Sequence, residues 1–244
     1  MNVVIPMAGD SIIFKESGFK YNKNFTEINR KPLFQRIFNF ISTLNAEKFI
    51  FIVNSEDARK YHIDRSLKLL SPKCYVTATE GKTAGAACTV LLAAEFIDND
   101  EELIINNGDM ILETDIQAVV DKFRESELDG GIITFESVHP RWSFVRLDEE
   151  NYVIETAEKS PISSHATAGF YYFKRGSDFV SGAKEMIRKD SNVDGKYYVC
   201  PVYNEMVLRQ MKIKCHEIEV EKYYPLTTPK EVMEYEDHIK KIES

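Results

Sequence analysis

The stretch that decides the fold opens the chain and reads Asn2-Val3-Val4-Ile5-Pro6-Met7-Ala8-Gly9. Its first part is apolar and rich in β-branched residues, which predicts a short strand buried on both faces. Its last residues are small, and they predict a tight turn directly after the strand. A strand of this kind is typical of a parallel sheet that is covered by helices.

Strand and helix patterns alternate along the rest of the chain. Apolar side chains recur at helical spacing over residues 32–44, and 49–53 is an uninterrupted apolar run that predicts another buried strand. Thr114-x-x-Gln117 has the pattern of a capping box, and Thr228-Pro229-Lys230-Glu231 combines an N-cap, an N1 proline and an N3 glutamate. We predict further helices over 57–70, 86–96, 115–123, 177–188 and 202–210, and strands over 75–78, 103–105, 131–135, 143–147, 152–156, 168–173 and 212–220. This order predicts one α/β domain with a cleft between its two halves.

The composition argues against several classes of protein. The chain has 244 residues with 31 Lys and Arg against 39 Asp and Glu, and its net charge of −8 without a dense basic stripe disfavours a nucleic-acid-binding protein. No apolar run approaches the roughly 20 residues of a membrane-spanning helix. The opening residues lack the basic and apolar segments of a signal peptide, so we expect a cytoplasmic protein. Its four cysteines form no Cys-x-x-Cys pair and its five histidines show no zinc spacing, so we expect reduced thiols.

Several common catalytic motifs do not occur in the sequence. Gly81-Lys82-Thr83 is similar to the end of a phosphate-binding loop, but the glycine required five residues earlier is Val76. Neither Gly-x-Ser-x-Gly nor His-Glu-x-x-His occurs. The sequence therefore does not support a P-loop NTPase, a serine hydrolase or a zinc protease.

Two regions carry candidate functional residues. Lys15, Lys20 and Lys23 follow the turn after the first strand and form a basic loop at the edge where open α/β sheets bind ligands. Asp109 follows an apolar run and Gly108, so its carboxylate lies at the end of a buried strand, which suits a Mg²⁺ that bridges to substrate phosphates. From these residues alone, a solvated surface loop and a turn or N-cap aspartate are the alternative interpretations.

Taken together, these segments resemble the sugar-phosphate nucleotidyltransferases, and the resemblance covers essentially the whole chain in the family's order. Its motifs are Met7-Ala8-Gly9 with Lys23 and Lys31-Pro32-Leu33, Thr83-Ala84-Gly85-Ala86-Ala87, Asn107-Gly108-Asp109, Glu158-Lys159, His165-Ala166-Thr167-Ala168-Gly169, and Pro201-Val202-Tyr203-Asn204 with Thr228-Pro229. The last two segments are most similar to a subgroup found with capsule and surface-polysaccharide genes. The family implies a Rossmann-like, mostly parallel mixed sheet flanked by helices, in a single domain over 1–244. In that domain about 1–125 binds the nucleotide and about 126–244 binds the acceptor.

The resemblance implies a reaction in which an oxygen of a phosphate monoester attacks the α-phosphorus of an NTP and expels pyrophosphate. The second pKa of a phosphate monoester is about 6, so this nucleophile is ionised near neutral pH and needs no general base. The protein then has to supply positioning and positive charge. By resemblance, Asp109 holds Mg²⁺ and Lys23 steadies the α-phosphate. The nucleotide is framed by Met7, Ala8, Gly9, Gly85, Ala86, Asn107 and Gly108, and the acceptor faces Glu158, Lys159, Gly169 and Lys196.

The sequence departs from the family at three places. Ile13, one residue before Phe14, stands where the family's arginine meets the triphosphate, a donor that typically contributes roughly 3–4 kcal/mol. Either Lys15 or Lys20 substitutes for it as a catalytic cation, or the activity is weak or absent. Lys196 replaces a glutamate that accepts hydrogen bonds from sugar hydroxyls, which predicts an acceptor with a second anionic group unless Lys196 points into solvent. Pro225-Leu226-Thr227-Thr228-Pro229 offers no carboxylate at the position of a second metal ligand.

We therefore expect a Mg²⁺-dependent enzyme that transfers a nucleoside monophosphate from an NTP, CTP first, to a small phosphate monoester for a surface glycan. Nucleic acids and membranes are not expected partners. Two other classes remain open. Ile13 supports a catalytically silent nucleotide-binding homologue. A glycosyltransferase of related fold generally has a second acidic residue two positions after the first, where this chain has Ile111.

Overall fold

A mixed nine-stranded sheet with a hydrophobic core on each face forms the centre of the protein. The structure is a computed structural model and describes residues 1–9, 11–19 and 21–243. Its strands are β1 (Asn2–Pro6), β2 (Glu27–Ile28), β3 (Lys31–Pro32), β4 (Lys48–Asn54), β5 (Cys74–Thr79), β6 (Leu103–Asn106), β7 (Met110–Leu112), β8 (Gly130–Glu136), β9 (Ser143–Leu147), β10 (Val153–Glu158), β11 (His165–Phe173), β12 (Ile213–Ile218) and β13 (Tyr223–Pro225). Its α-helices are α1 (Ile12–Glu16), α2 (Leu33–Ile41), α3 (Ser55–Tyr61), α4 (Ile63–Leu70), α5 (Ala86–Leu91), α6 (Ala94–Ile97), α7 (Ile116–Glu125), α8 (Gly176–Arg188), α9 (Val202–Val207) and α10 (Pro229–Ile242), and 3-10 helices cover Lys23–Phe25 and Val220–Lys222. Of the described helices, none combines the length and the apolar character needed to cross a membrane.

The sheet changes from parallel to antiparallel pairing at β11. The strands β6-β1-β4-β5 are neighbours in this order, and all of them are parallel. β11 pairs antiparallel with β6 and with β8, and β12 runs parallel to β8. β9 pairs with the start of β11, and β10 follows it as an antiparallel strand. Seven of the nine strands (β1, β4, β5, β6, β8, β9 and β12) therefore run in one direction, and β10 and β11 run in the other. The predicted α/β domain with a mostly parallel mixed sheet is confirmed.

The apolar runs of the strands explain why both faces of the sheet are covered. Val3 and Ile5 of β1 belong to one hydrophobic core, whereas Val4 between them belongs to the other. The first core includes residues of α2 and α7, and the second includes residues of α5, α8 and α9. Each large apolar side chain buried in this way contributes about 1.5–3 kcal/mol. Because the two faces are occupied by helices, the carboxyl ends of the strands are left for polar residues and ligands.

Two predicted helices are interrupted in the structure. The helix predicted over 57–70 is divided into α3 and α4 at His62, whose φ of +48° lies in the left-handed region. The helix predicted over 86–96 is likewise divided into α5 and α6. In both segments the apolar spacing continues across the break, which is why the sequence pattern does not reveal it.

One of the two predicted helix caps is wrong and the other is confirmed. Asp115, rather than Thr114, caps α7, because its side chain accepts a hydrogen bond from the N–H of Ala118 at 3.0 Å. At α10 the Thr228 side chain accepts from the N–H of Glu231, and the Glu231 side chain accepts in return from the N–H of Thr228. This capping box fixes the direction in which α10 leaves β13.

Candidate active site

A cavity of about 490 Å³ opens at the carboxyl ends of β1 and β6. It lies where the sequence predicts a ligand site, after the first strand and after the strand that precedes Asp109. The predicted site residues that line it are Ala8, Gly9, Gly85, Ala86, Asn107, Gly108, Asp109, Glu158, Lys159, Gly169 and Lys196. The structure therefore brings most of the predicted residues to one place.

Three other predicted residues lie away from the lining. Met7 is buried beneath the cavity, and a Cβ atom at Gly108 would overlap its side chain. Lys23 lies behind the lining and contacts it through Asp109. Lys15 is exposed on α1. Burial raises the pKa of Asp57 in α3, and the nearby charge of Lys15 opposes that shift. Lys20, the other candidate for the missing arginine, lies outside the described residues.

Lys23 is held beside the cavity by the turn that contains it. It begins the 3-10 helix, and the next residue, Asn24, is buried and donates from Nδ2 to the carbonyl of Met7 at 2.8 Å. This bond ties the turn to the end of β1. From there the Nζ atom of Lys23 donates to Oδ2 of Asp109 at 2.7 Å, with 12% of the lysine side chain and 27% of the aspartate side chain exposed. Because both groups are partly buried, salt screens this pair less than a surface pair.

The segment that carries Asp109 is anchored on two sides. The N–H of Asn107 donates to the carbonyl of Gly169 in β11 at 2.9 Å. Gly169 has a φ of +79°, and a Cβ atom there would overlap the side chain of Asn107, so this close approach requires glycine. On the other side, the carbonyl of Asp109 accepts from the N–H of Leu226 at 2.8 Å, where β13 pairs with β7. The carboxylate therefore projects from a backbone with little freedom to move.

The turn before α5 is closed by the loop between α8 and α9. Gly85 has a φ of +111°, and a Cβ atom there would overlap the backbone of Tyr197. The carbonyl of Ala84 accepts from the N–H of Tyr197 at 2.8 Å, and the carbonyl of Tyr197 accepts from the N–H of Ala87 at 3.0 Å. These two bonds place the neighbouring Lys196 in the wall of the cavity.

The opposite end of the cavity carries a partly buried carboxylate. Glu158 of β10 lies directly across from Ser143 of β9, whose hydroxyl donates a short hydrogen bond to it. Burial raises the pKa of Glu158, although Ser143 and Lys159 oppose the shift. The hydroxyls of Thr167 and Tyr171, which also line the cavity, lie 3.0 Å apart. This end can therefore hold a polar group through hydrogen bonds to uncharged hydroxyls and one carboxylate.

Cations lie beside that carboxylate. The Nζ atom of Lys159 is 3.8 Å from Oδ2 of Asp194 and 5.4 Å from the centre of the Tyr198 ring. Lys196 also lines the cavity. This end of the cavity thus combines a partly buried carboxylate with the nearby charge of Lys159.

The surroundings of Asp109 fit a Mg²⁺ that is bound largely through the substrate. The described residues include no group of three or more His, Cys, Asp or Glu side chains that could hold a metal ion by themselves. Mg²⁺ commonly takes one or two carboxylates from the protein and completes its coordination with water and phosphate oxygens. A single carboxylate at a strand end is compatible with such an ion, with Lys23 as its competitor for Oδ2.

The cavity is also lined by residues that the sequence did not single out as site residues, although Pro6, Thr83 and Thr167 lie within the quoted segments. The residues that were not singled out are Pro6, Lys82, Thr83, Thr89, Arg141, Trp142, Ser143, Thr167, Tyr171, Tyr198, Val199, Cys200, Tyr223 and Thr227. One usable signal was Trp142, the single tryptophan of the chain, which follows an arginine at the start of a predicted strand. Tyr223 and Thr227 had no such signal, because they reach the cavity only through the pairing of β13 with β7.

Comparison with known families identifies the class of protein. Residues 19–239 match the nucleotidyl transferase family. Because the match covers most of the chain, the chain belongs to that family. The sheet order and the cavity at the strand ends agree with this assignment, which makes the protein a nucleotidyltransferase.

Two solved structures are similar over nearly the whole chain. A nucleoside-diphosphate-sugar pyrophosphorylase from Vibrio cholerae RC9 is 26% identical with a TM-score of 0.81, and the match covers 96% of this chain and 99% of that one. A UDP-glucose pyrophosphorylase complexed with UDP-glucose is 15% identical with a TM-score of 0.78, and the match covers 98% of both chains. The second similarity shows the fold alone. No curated protein matches the sequence significantly.

Proposed function

We propose that the protein transfers a nucleoside monophosphate from an NTP to a small phosphate monoester, with Mg²⁺, and releases pyrophosphate. The observation that carries this proposal is the Lys23–Asp109 pair at the carboxyl ends of β1 and β6. It puts an ammonium group and a carboxylate at the edge of the sheet where α/β proteins bind nucleotides. Membership of the nucleotidyl transferase family supports the same reaction.

The residues at the nucleotide end would position the NTP and counter its charge. The small residues of 7–9 and the turn at Gly85 let backbone groups approach the base and ribose closely. Lys23 would pair with the α-phosphate, whose oxygens carry the charge that develops in the transition state. Asp109 would hold Mg²⁺, which neutralises phosphate charge when it is bound. The acceptor phosphate is ionised near neutral pH, so no side chain has to remove a proton from it.

The residues at the other end would select the acceptor. Glu158 would accept hydrogen bonds from hydroxyl or ammonium groups, and the backbone of Gly169 packs closely against Asn107 in the cavity wall. Lys159 and Lys196 would pair with anionic groups. We therefore favour an acceptor that has a second anionic group besides its phosphate, such as a carboxylate on a modified sugar or on a non-sugar phosphate.

The donor and the biological role rest on sequence resemblance. The segments 201–204 and 228–229 are similar to the subgroup found with capsule and surface-polysaccharide genes. On that resemblance CTP is the donor that we favour, and a surface glycan is the destination of the product.

The test is pyrophosphate release from a panel of NTPs and phosphate monoesters, with and without Mg²⁺. We expect release only when NTP, acceptor and Mg²⁺ are all present, with CTP the best donor. A thermal-shift series with the same NTPs reports binding independently, since a ligand at 100 times its Kd stabilises a protein by about 2.7 kcal/mol.

One observation favours a second candidate, a catalytically silent nucleotide-binding protein. Ile13, at the position of the family's arginine, is 56% exposed and offers no charge to a triphosphate. Stabilisation by NTP without pyrophosphate release for any acceptor would support this candidate and contradict the proposed reaction. If NTPs cause no stabilisation and no pyrophosphate is released, both candidate functions are contradicted.

A further inference from the structure

Arg141 is fixed in place by two contacts at the edge of the cavity. Its guanidinium lies over the ring of Trp142, with 3.8 Å from Cζ to the ring centre, and one Nη2–H donates to Oε1 of Glu231 at 2.5 Å. Glu231 is itself held by three hydrogen bonds, because its other oxygen accepts from the N–H and hydroxyl of Thr227 and from the N–H of Thr228. The arginine side chain is 39% exposed and lines the cavity.

Among the residues that the structure describes, most donors of this guanidinium have no protein partner. Arginine has five N–H donors in a fixed plane. Within the described part of the chain, the Nε and Nη1 atoms of Arg141 make no hydrogen bond, and Glu231 is its one ion-pair partner. The guanidinium is thus held through its face by Trp142 and through one N–H by Glu231. Its other N–H groups are suited to bind two oxygens of a phosphate.

The position of Arg141 relative to Asp109 follows from Tyr223. The ring of Tyr223 lies 5.4 Å from that of Trp142, centre to centre. Tyr223 belongs to β13, which pairs with β7, and the residue after that strand, Leu226, donates from its N–H to the carbonyl of Asp109 at 2.8 Å. Arg141, Tyr223 and Asp109 all line the cavity, so a phosphate held at Asp109 lies in the cavity that Arg141 also lines.

Two other cations of the site already have carboxylate partners. Lys23 donates to Asp109, and Lys159 lies beside Asp194. Lys82 and Lys196 also line the cavity, but a lysine lacks the planar fork of a guanidinium. In α1, the position of the family's arginine is Ile13, and Lys15 is exposed and does not line the cavity. Arg141 comes instead from the connection between β8 and β9, far along the chain from that loop.

We infer that Arg141 is a phosphate-binding residue of this enzyme, and that its guanidinium makes the contact with the substrate phosphates that Ile13 cannot make. The inference rests on the proposed nucleotidyl transfer and names a further residue of the same site. Since the side chain is already held by Trp142 and Glu231, little conformational freedom is lost when a phosphate binds. Lysine at this position would keep the positive charge but would lose the planar pair of N–H donors that can bind two phosphate oxygens at once.

The test compares Arg141→Gln and Arg141→Lys with the wild type and with the control Arg146→Gln. Arg146 is an arginine of β9 that pairs with Glu155 and does not line the cavity. Two readouts are needed for each protein: the thermal shift caused by inorganic pyrophosphate, and the rate of pyrophosphate release from NTP and acceptor. Melting curves without ligand establish that each variant is folded.

We expect Arg141→Gln to lose the shift caused by pyrophosphate and to turn over about 100- to 1,000-fold more slowly, as when one transition-state donor is removed. Added guanidinium should restore part of that rate, Arg141→Lys should lie between, and Arg146→Gln should behave like the wild type. Equal shifts in wild type and Arg141→Gln, or no shift in either, would overturn the inference. Loss of turnover in Lys20→Ala with full turnover in Arg141→Gln would also overturn it.

The two readouts separate this inference from the proposed reaction. If the wild type binds pyrophosphate through Arg141 but releases none from any substrate pair, the proposed reaction fails and the phosphate-binding role stands. If the wild type is active and Arg141→Gln is equally active, the reaction stands and the role of Arg141 is refuted.

Discussion

The ammonium of Lys23 lies 2.7 Å from Oδ2 of Asp109, although 86 residues separate them in sequence. The pair joins the turn after β1 to the end of β6, and it balances the charge of the carboxylate at the place where we propose Mg²⁺ and the α-phosphate to bind. A bound Mg²⁺ would take over the carboxylate and free the lysine for the phosphate, so the same two residues can serve the empty and the loaded site.

Replacing Asp109 with Asn should remove Mg²⁺-dependent turnover and leave the fold intact. Asparagine keeps the backbone contact between the carbonyl of residue 109 and the N–H of Leu226, but it lacks the charge that holds a hard cation. Steady-state rates over a Mg²⁺ titration and a melting curve measure the two effects. Asp98→Asn, at a surface carboxylate paired with Lys184, is the matched control. Normal Mg²⁺-dependent rates in Asp109→Asn would show that the metal is held elsewhere.

Replacing Lys23 with Ala should slow turnover by about two to three orders of magnitude, the usual effect of removing one donor from a developing charge. Lys240→Ala is the comparison, because Lys240 is an exposed lysine of α10 that pairs with Glu236. Pyrophosphate release at saturating NTP reports the difference. Small and equal effects in both variants would show that Lys23 does not contact the transferred phosphate.

Lys196→Glu should change which acceptor is used. Lysine offers three donors and a positive charge, whereas glutamate accepts hydrogen bonds, and a charge-assisted bond contributes about 1.5–3 kcal/mol, roughly ten- to hundredfold in preference. The assay is kcat/KM for phosphate monoesters with and without a second anionic group. We expect the wild type to prefer the anionic acceptors and the variant to lose that preference. A wild-type preference for neutral hexose 1-phosphates that Lys196→Glu leaves unchanged would contradict the proposed acceptor class.

Glu158→Gln should stabilise the protein near neutral pH and lose this advantage in acid. Burial raises the pKa of Glu158 above its ordinary value of 4.5, so the folded state binds the proton more tightly than the unfolded state. The stability from that proton is present below the ordinary value and is lost as the pH rises through the raised pKa. The difference in Tm between variant and wild type should therefore grow with pH, whereas the exposed Glu149→Gln control should show no such trend. A constant difference would place the Glu158 carboxyl in solvent.

Much of the fold could be predicted because its signals are local. The apolar run at 49–53 and the cap at Thr228 describe short segments whose environment follows from their own residues. The break at His62 could not be predicted, because the helical spacing of apolar residues continues across it. The cap of α7 was misplaced by one residue because Thr114 and Asp115 are both good N-cap residues.

The site residues likewise fall into those that local sequence predicts and those that depend on long-range contacts. Residues that follow a predicted strand directly, such as Gly9 and Asp109, could be assigned to a strand end from the sequence. Arg141 and Tyr223 could not, because their arrival at the cavity depends on β11 reversing the sheet and on β13 pairing with β7. Pairing between strands that are distant in sequence has no local sequence pattern from which it could be predicted.

Tyr197 holds the turn at Gly85 through both its N–H and its C=O group, while its neighbours Lys196 and Tyr198 line the cavity where we propose the acceptor to bind. One peptide segment thus belongs to the walls of both proposed substrate sites. A nucleotide that steadies the turn would steady Lys196 with it, and the conformational entropy of the shared segment would be lost once rather than twice. Each substrate would then meet a surface already made rigid by the other, which gives positive and reciprocal linkage between the two without a hinge or a moving lid.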